Sequence, residues 1–299
     1  MKGKMMSDKT MKPSALKLVT AESVRRGHPD KFCDQIADAI LDAHLRQDAN
    51  ARVAVEVFAT VGKILIAGEV TSKAEVCYPK IVEHLIDEIG YDTADLCSEG
   101  SDELEIEVRI HDQSEDISQA VGGQAAVRGQ AMVSKQAAVS GENNSTAETL
   151  GAGDQGIMVG YATDETKEYL PLPVVLAHRL CRALDAYRAD WLGADGKVQV
   201  TVAYDGNTPL FVHTIVISMQ HAPWKSVEEI RLELACILLE KAIPSELFHP
   251  ETRILINPSG KFELGGPAAD TGLTGRKLAV DQYGPIAHIG GGALREPLI

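Results

Sequence analysis

The order helix, hairpin, helix and strand is predicted twice along this chain, and this repetition constrains the fold more than any single motif. In the first unit, apolar residues recur at helical spacing from Pro29 to Ala43. Two segments in which every second residue is apolar then flank a turn at Val61–Gly62, which predicts a hairpin of two strands. A second helix is predicted over residues 77–89 and a strand over 104–110, which completes the unit.

The second unit follows the same order with different residues. Its predicted elements are a helix over 173–188, strands over 197–204 and 210–218 joined by a turn at 205–207, a helix over 226–242 and a strand over 253–256. Coincidence is the alternative explanation, because this order is common in α+β chains. We favour a repeat, which predicts a layered α+β fold of repeated domains with helices on one face of each sheet.

Two stretches fall outside the repeat. Residues 122–150 are rich in Ala, Gln, Gly and Ser, which predicts an extended mobile loop and not a domain. After Ile256 the chain is rich in glycine and too short for a third complete unit. The predicted division is a tail at 1–17, an N-terminal domain at 18–121, the loop, a central domain at 151–262 and a last segment at 263–299.

The charge balance and the cysteines narrow the class of protein. Lys and Arg total 29 against 43 Asp and Glu, a formal net charge of −14, which argues against binding to nucleic acid or to an anionic membrane. No apolar run reaches the ~18 residues of a membrane-spanning helix, and the N-terminus lacks the apolar core of a signal peptide. Five cysteines without a CxxC pair predict reduced thiols and a cytoplasmic location.

The segment Gly27–Lys31 places a histidine directly before a helix. A helix N-terminus attracts anions, so His28 could donate to a phosphate or a leaving oxygen, and Asp30 could hold Mg²⁺. The alternative is an ordinary helix start with an acidic first turn. Spacing alone leaves both interpretations of Asp30 open, because it begins an i,i+4 stripe typical of a solvated face, with Asp34, Asp38 and Asp42.

A basic segment near the end of the chain is the second candidate. Within residues 257–277, Arg276 and Lys277 follow a glycine turn, and such a pair suits a polyphosphate. An ordinary basic loop is the alternative. In a chain of net charge −14, a basic pair framed by glycines carries more weight than it would elsewhere.

Two other glycine-rich segments are weaker signals. Residues 151–156 read Gly-Ala-Gly-Asp-Gln-Gly, where the glycines allow close approach of a ligand and Asp154 could accept from an ammonium group. A flexible turn is the alternative, because the strand-then-helix context of a dinucleotide site is absent. The bend Gly290–Ala293 could pack against a base or ribose, but alone it means little.

Two carboxylates lie within predicted strands. Glu56 alternates with Val53, Val55 and Val57, and therefore points away from the valine face. Glu69 lies on the face opposite Ile64 and Ile66. Acidic residues in such positions usually belong to the solvent-exposed face of a sheet, so they become candidate site residues only with further support.

Together these segments resemble the methionine adenosyltransferase (S-adenosylmethionine synthase) family. The resemblance runs from about residue 18 to 293 in the family's order. Its motifs are GHPDK at 27–31, ARVAVE at 51–56, AGE at 67–69, QSEDI at 113–117, GAGDQG at 151–156, DGK at 195–197, INPSGKF at 256–262, GGP with D-x-GLTGRK at 265–277, and the final GGGA.

The resemblance implies an activity, cofactors and partners. Family members form S-adenosylmethionine from ATP and L-methionine, release phosphate and pyrophosphate, require Mg²⁺ and are helped by K⁺. They are homodimers or homotetramers with the active site between subunits. The family fold has three similar α+β domains, so the resemblance implies a pseudo-threefold fold whose third repeat is truncated here and begins at residue 263.

The resemblance also assigns roles to residues. Catalytic roles fall to His28, Lys197, Arg276 and Lys277. Metal ligands would be Asp30 for Mg²⁺ and Glu56 for K⁺. Methionine would be held by Glu69, Gln113 and Asp154, and ATP by Asp195, Lys261, Phe262, Asp270 and Ala293.

The chain departs from the family pattern in several places. After GGGA the family continues with two lysines and an aspartate that contact substrate and metal, whereas here Leu294–Ile299 follows. Arg25 and Arg26 replace a small and an acidic residue, Glu115 replaces a proline, and the loop is about twenty residues longer than usual. The alternative function is a catalytically impaired paralogue or fragment that binds ATP or pairs with a full-length subunit. An unrelated phosphotransferase is disfavoured by the lack of a GxxxxGK[ST] loop.

Overall fold

The computed structural model describes residues 16–112, apart from Glu99 and Asp102, and residues 157–289. These residues form a mixed α+β fold with two four-stranded sheets. Within the described ranges, no helix is both long and apolar enough to cross a membrane. The predicted loop at 122–150 and the segments 151–156 and 290–293 lie outside the described residues.

The elements agree closely with the predicted order. The helices are α1 Pro29–Leu45, α2 Tyr78–Ile89, α3 Leu172–Ala186, α4 Val227–Ala242, and the short α5 Gly266–Ala269 and α6 Leu278–Asp281. Single turns of 3-10 helix lie at Thr93–Asp95 and Ser245–Leu247. The strands are β1 Lys17–Val24, β2 Arg52–Thr60, β3 Lys63–Thr71, β4 Glu105–His111, β5 Leu192–Asp205, β6 Thr208–His221, β7 Arg253–Ile256 and β8 Gly272–Leu273.

The two sheets share one topology, which confirms the α+β fold with repeated units. The first sheet has the order β4-β3-β2-β8 and the second has the order β1-β5-β6-β7. In each, the hairpin strands are antiparallel and the strand after the second helix runs parallel to the second hairpin strand. The element order that repeats in the sequence therefore corresponds to a strand arrangement that repeats in the two sheets.

Each sheet takes its fourth strand from a distant part of the chain. Strand β1 pairs antiparallel with β5, from Lys17 opposite Tyr204 to Val24 opposite Lys197. Strand β8 pairs antiparallel with β2, with Leu273 opposite Phe58. The sequence predicted neither strand, and Lys17, placed at the end of the tail, is the first residue of β1. The domain division given above stays a prediction, and these pairings cross its boundaries.

The helices cover one face of each sheet and create two cores. Helix α1 buries Phe32, Ile36 and Ile40 with no exposed surface against the valines and isoleucines of β2 and β3. Helix α3 does the same with Leu176, Leu180 and Leu184 on the second sheet. Each fully buried side chain of this size contributes about 1.5–3 kcal/mol. The four-residue spacing of both triplets explains why periodicity found these helices.

Strand β5 begins before its predicted start. It was predicted from residue 197, but it starts at Leu192 and includes the segment Gly193–Gly196, with an irregularity in its pairing to β6. Glycine and aspartate have low strand propensity, so the pattern could not indicate this extension. The extension matters because it brings Asp195 into the sheet.

Candidate functional site

The turn before α1 lies directly on the start of β5. A Cβ on Gly27 would lie 2.5 Å from the carbonyl carbon of Ala194, so only glycine allows this approach. His28 is the N-cap of α1, and its Nδ1 accepts a hydrogen bond of 3.2 Å from the Asp30 N–H. The buried Tyr91 hydroxyl donates to the Gly27 carbonyl and holds the turn from the other side.

Asp30 joins this turn to the last segment of the chain. Its carboxylate is 2.9 Å from Arg276 Nε and 2.6 Å from Lys277 Nζ, and it accepts from the Leu273 N–H at 3.0 Å. Burial opposes ionisation, but the Lys277 and Leu273 hydrogen bonds and both cations hold the pKa of Asp30 below its usual value. The helix start and the basic pair, which are 246 residues apart between Asp30 and Arg276, therefore form one site.

The electrostatics of His28 indicate which other residues share the site. Burial, together with the charges of Lys277 and Lys197, lowers the pKa of His28 to about 4, whereas Asp30 and Asp270 act in the opposite direction. The imidazole is therefore neutral at pH 7. With Nδ1 as an acceptor, the remaining proton is on Nε2.

The aspartate stripe of α1 divides into two halves. Asp30 and Asp34 are buried, and the Asp34 carboxylate accepts from the Gly275 N–H at 2.9 Å. Asp38 and Asp42 are exposed, as expected for a solvated face. The solvated-face interpretation is therefore wrong for the first half of the stripe. Sequence reasoning gave Asp34 no role, although it binds the backbone of the predicted basic segment.

The strand carboxylates lie on the outer face of the first sheet. Glu56 is exposed and accepts a hydrogen bond from the Thr274 hydroxyl, one residue beyond β8. Glu69 lies opposite Ala54 in the ladder, and its Oε1 lies 3.3 Å from Nε2 of His111. The alternation argument for Glu56 is confirmed by the buried Val53, Val55 and Val57 of the opposite face.

Asp195 is buried in the extension of β5. Its carboxylate accepts from the Gly266 N–H at 3.1 Å. Burial raises the pKa of Asp195 to about 6, although the amides of Gly266 and Gly196 and the charge of Arg25 act in the opposite direction. Lys197, two residues later, is exposed at the end of the β1 ladder.

The last three described candidates lie on the segment that follows β7. Lys261 is exposed and pairs with Glu263 at 2.9 Å. Phe262 exchanges two hydrogen bonds with His221 of β6, one to the ring at 3.1 Å and one between backbones at 2.9 Å. Asp270 is exposed, and its N–H donates to the Gly266 carbonyl at 3.1 Å.

The structure therefore brings only some of the predicted site residues together. His28, Asp30, Arg276 and Lys277 form one cluster, near which Lys197 and Asp270 act on His28. The predicted Gln113, Asp154 and Ala293 lie outside the described residues. In the part of the chain that the structure describes, no three His, Cys, Asp or Glu side chains form a group that could hold a metal ion.

A surface cavity of about 410 Å³ lies between the end of α2 and the start of β5. Its lining includes Arg25, Asp185 and Arg188 but no predicted site residue. Arg25, which departs from the family pattern, is buried and pairs with Asp185 at 2.8 Å. Arg26 is exposed and pairs with Glu88 at 2.9 Å. We assign these arginines to the structure of the turn.

The fold is a two-sheet α+β fold in which a late segment brings paired cations to a helix N-terminus, an arrangement that suits an anionic ligand. Comparison with known families is more specific. Family models match residues 16–115 (S-adenosylmethionine synthetase, N-terminal domain), 149–262 (central domain) and 264–296 (C-terminal domain). The chain belongs to the S-adenosylmethionine synthetase family, which is a family of transferases.

Two curated relatives agree with this assignment. The S-adenosylmethionine synthase of Thermus thermophilus is 46% identical over 284 residues, which cover 93% of this chain and 69% of the relative. The S-adenosylmethionine synthase of Clostridium botulinum is 45% identical over 287 residues, covering 93% of this chain and 68% of the relative. The chain thus spans about two thirds of the length of these relatives.

Proposed function

We propose that this chain is a methionine adenosyltransferase that forms S-adenosylmethionine from ATP and L-methionine, with release of phosphate and pyrophosphate. The observation that carries the proposal is the meeting of Arg276 and Lys277 with the His28–Asp30 helix start. In a chain of net charge −14, these cations are gathered where a triphosphate would need them.

The proposed reaction needs positioning and charge neutralisation more than covalent work by the protein. The methionine sulfur forms a bond to C5′ of ATP, and the C5′–O5′ bond breaks with its electron pair leaving on the triphosphate. Water would then hydrolyse the triphosphate to phosphate and pyrophosphate. Arg276 and Lys277 would move from Asp30 to the triphosphate and stabilise its developing charge. The neutral His28 would donate from Nε2 to an oxygen near the broken bond.

The remaining contacts are proposed from the family pattern and the positions described above. Asp195, Lys197, Lys261, Phe262 and Asp270 would bind ATP together with Ala293. Glu69 would hold methionine together with Gln113 and Asp154. Support comes from Asp195 and Phe262, because both are fixed by hydrogen bonds, Asp195 to the Gly266 N–H and Phe262 to His221 of β6.

Mg²⁺ and K⁺ are the proposed cofactors. Mg²⁺ at polyphosphates usually uses one or two carboxylates plus phosphate oxygens and water, so the single carboxylate of Asp30 fits this donor set. The carboxylate of Glu56 and the hydroxyl of Thr274 are oxygen donors that suit K⁺. When bound, the cations would neutralise phosphate charge. Asp30 would be free to take this role once Arg276 and Lys277 turn to the triphosphate.

We further propose that the active unit is a homodimer or homotetramer with the site at the subunit interface. The outer face of the first sheet exposes Phe58 and Leu273 next to each other, beside Glu56. A second subunit on this face would bury apolar surface and enclose the carboxylates Glu56 and Glu69. A cytoplasmic location is proposed because Cys33, Cys77 and Cys181 are free thiols.

The test is product formation by the purified chain with ATP, methionine, Mg²⁺ and K⁺, followed by mass spectrometry. We expect S-adenosylmethionine from the parent, a large loss in His28→Ala, and no loss in His84→Ala, a matched change at an exposed histidine of α2. Product above that of a full-length relative alone, with none from the chain alone, would support the pairing alternative. A folded chain that makes no product alone and adds none to that of the relative would overturn the proposal.

A further inference from the structure

Gln220, which received no role from the sequence, is the meeting point of three parts of the chain. It lies near the end of β6 and is 5% exposed. Its Oε1 accepts from the Asp195 N–H at 3.2 Å, so it holds the extension of β5. Its Nε2 donates to the carboxylate of Asp95 and, at 3.4 Å, to the Glu263 carbonyl of the last segment.

The side chain of Gln220 fits between two glycines. A Cβ on Gly193 would lie 2.5 Å from Gln220 Cδ, and a Cβ on Gly265 would lie 2.6 Å from the same atom. Such distances are far below van der Waals contact, so neither position tolerates a side chain while the amide stays in place. The amide is thereby clamped between β5 and the last segment.

This clamp sets the positions of candidate ATP-binding residues on both sides. On one side, Asp195 is held through its backbone by Gln220 and through its carboxylate by the Gly266 N–H. On the other side, the Asp270 N–H donates to the Gly266 carbonyl. The two aspartates are therefore joined through Gly266. Gln220 holds this connection from both sides, because it binds the Asp195 N–H and packs against Gly265, the residue before Gly266.

The Asp95 end of the clamp leads back to the helix start. Asp95 and Asp92 form a reciprocal capping box around the 3-10 helix, which fixes the carboxylate that Gln220 contacts. Tyr91, just before this box, donates to the Gly27 carbonyl beside His28. The Asp95 carboxyl is buried, and burial raises its pKa, although the Gln220 hydrogen bond opposes the shift.

We propose that Gln220 is a positioning residue of the nucleotide site, with Asp95 as its anchor. It fixes the segment 263–270 against the extension of β5, so that ATP meets a preformed surface. It touches no reacting atom. The identity of the ligand rests on the function proposed above, whereas the holding of the segment does not.

The experiment compares Gln220→Met with the parent and with Gln199→Met, a matched change at an exposed glutamine of β5. Methionine passes between the glycines as an unbranched chain but makes none of the three hydrogen bonds. Gln220→Glu is the second variant, because it keeps the length and reverses the polarity toward Asp95. Amide hydrogen exchange, binding of a non-hydrolysable ATP analogue, and KM for each substrate are measured.

We expect the Gly266 and Asp270 amides to exchange at least ~10-fold faster in both Gln220 variants, while the Val198 and Val200 amides stay protected. The analogue should bind ~10-fold more weakly, and KM should rise for ATP but not for methionine. Global destabilisation would move both KM values and the β5 amides together, and that result would overturn the positioning role.

Unchanged exchange at Gly266 and Asp270 in Gln220→Met would also overturn the inference. A parent chain that binds no ATP analogue would overturn the proposed function and the nucleotide half of this inference. In that case the exchange rates, which need no ligand, still decide whether Gln220 holds the segment.

Discussion

Asp30 and Asp195 are both buried aspartates of the candidate site, but their partners carry different charges. Asp30 pairs with two cations, and its pKa is held below the usual value despite burial. Asp195, in the first part of β5, accepts from the backbone amides of Gly266 and Gly196, and burial raises its pKa to about 6. Burial alone therefore does not determine whether a carboxylate is charged, since the partners decide which form the site stabilises.

The largest expected effect follows from removing the paired aspartate. Asp30→Ala leaves Lys277 largely buried without its carboxylate, and it removes the acceptor of the Leu273 N–H. We expect the free energy of unfolding to fall by about 3 kcal/mol, measured by urea titration. Asp30→Asn, which keeps the acceptor, should lose less. A loss below about 1 kcal/mol in Asp30→Ala would contradict this account.

The second prediction concerns the pH dependence of the free energy of unfolding, to which Asp195 and Asp30 contribute in opposite directions. The Asp195 carboxyl has a native pKa of about 6 against 3.8 in the unfolded chain, so the folded state binds more protons between these values. Its contribution to the free energy of unfolding therefore falls as pH rises from about 4 to 6 and is constant above. Asp30, with its lowered native pKa, contributes in the opposite sense, because its stabilisation is lost as pH falls below 3.8.

Asp195→Asn should remove the decline attributed to Asp195. Relative to the parent, the variant should gain about 2 kcal/mol between pH 4.5 and pH 7 in denaturant titrations. A constant difference between variant and parent over this range would show that Asp195 is charged at both pH values in the folded protein.

The third prediction tests how closely the last segment contacts the Asp195 region. Gly265→Ala places a Cβ 2.6 Å from Gln220 Cδ, so the amide must shift. We expect a loss of about 1.5 kcal/mol in the free energy of unfolding. Gly160→Ala is the control, because no atom lies within 4 Å of its added Cβ. Equal stability of the two variants would contradict the clamp.

The smallest effect is expected at the exposed end of the aspartate stripe. Asp42 forms an ion pair of 3.2 Å with Arg46, but both side chains are well exposed. Asp42→Ala should therefore change the free energy of unfolding by no more than about 0.5 kcal/mol. A loss as large as that of Asp30→Ala would mean that position along α1 does not separate the two aspartates.

The sequence predicted the elements that depend on local pattern. The i,i+4 spacing of Phe32, Ile36 and Ile40 indicated α1, and alternation in β2 and β3 indicated the hairpin and the outward direction of Glu56. Strand β1 was missed because its residues show no clear alternation and its partner β5 is far away in the sequence.

The site was predicted as separate motifs whose meeting could not be deduced. Nothing in the spacing indicates that Lys277 contacts Asp30, because that contact depends on how β8 joins the first sheet. Gln220 and Asp95 were missed for a related reason, since their roles depend on three parts of the chain converging. The available signal was a glutamine at the end of the apolar strand β6, where a buried amide needs partners.

Each sheet takes one edge strand from a distant part of the chain, and this has a consequence for synthesis on the ribosome. Strand β1 emerges first, but Tyr204, the partner of Lys17, is translated roughly 190 residues later, about 10–40 s at typical elongation rates. During that time the backbone N–H and C=O groups of β1 lack their partners on β5, so we expect them to be open to pairing with other nascent chains. The charged side chains of Lys17 and Glu22 are exposed in the finished protein. Before β5 is made, the same charges would disfavour pairing of β1 with strands of other chains.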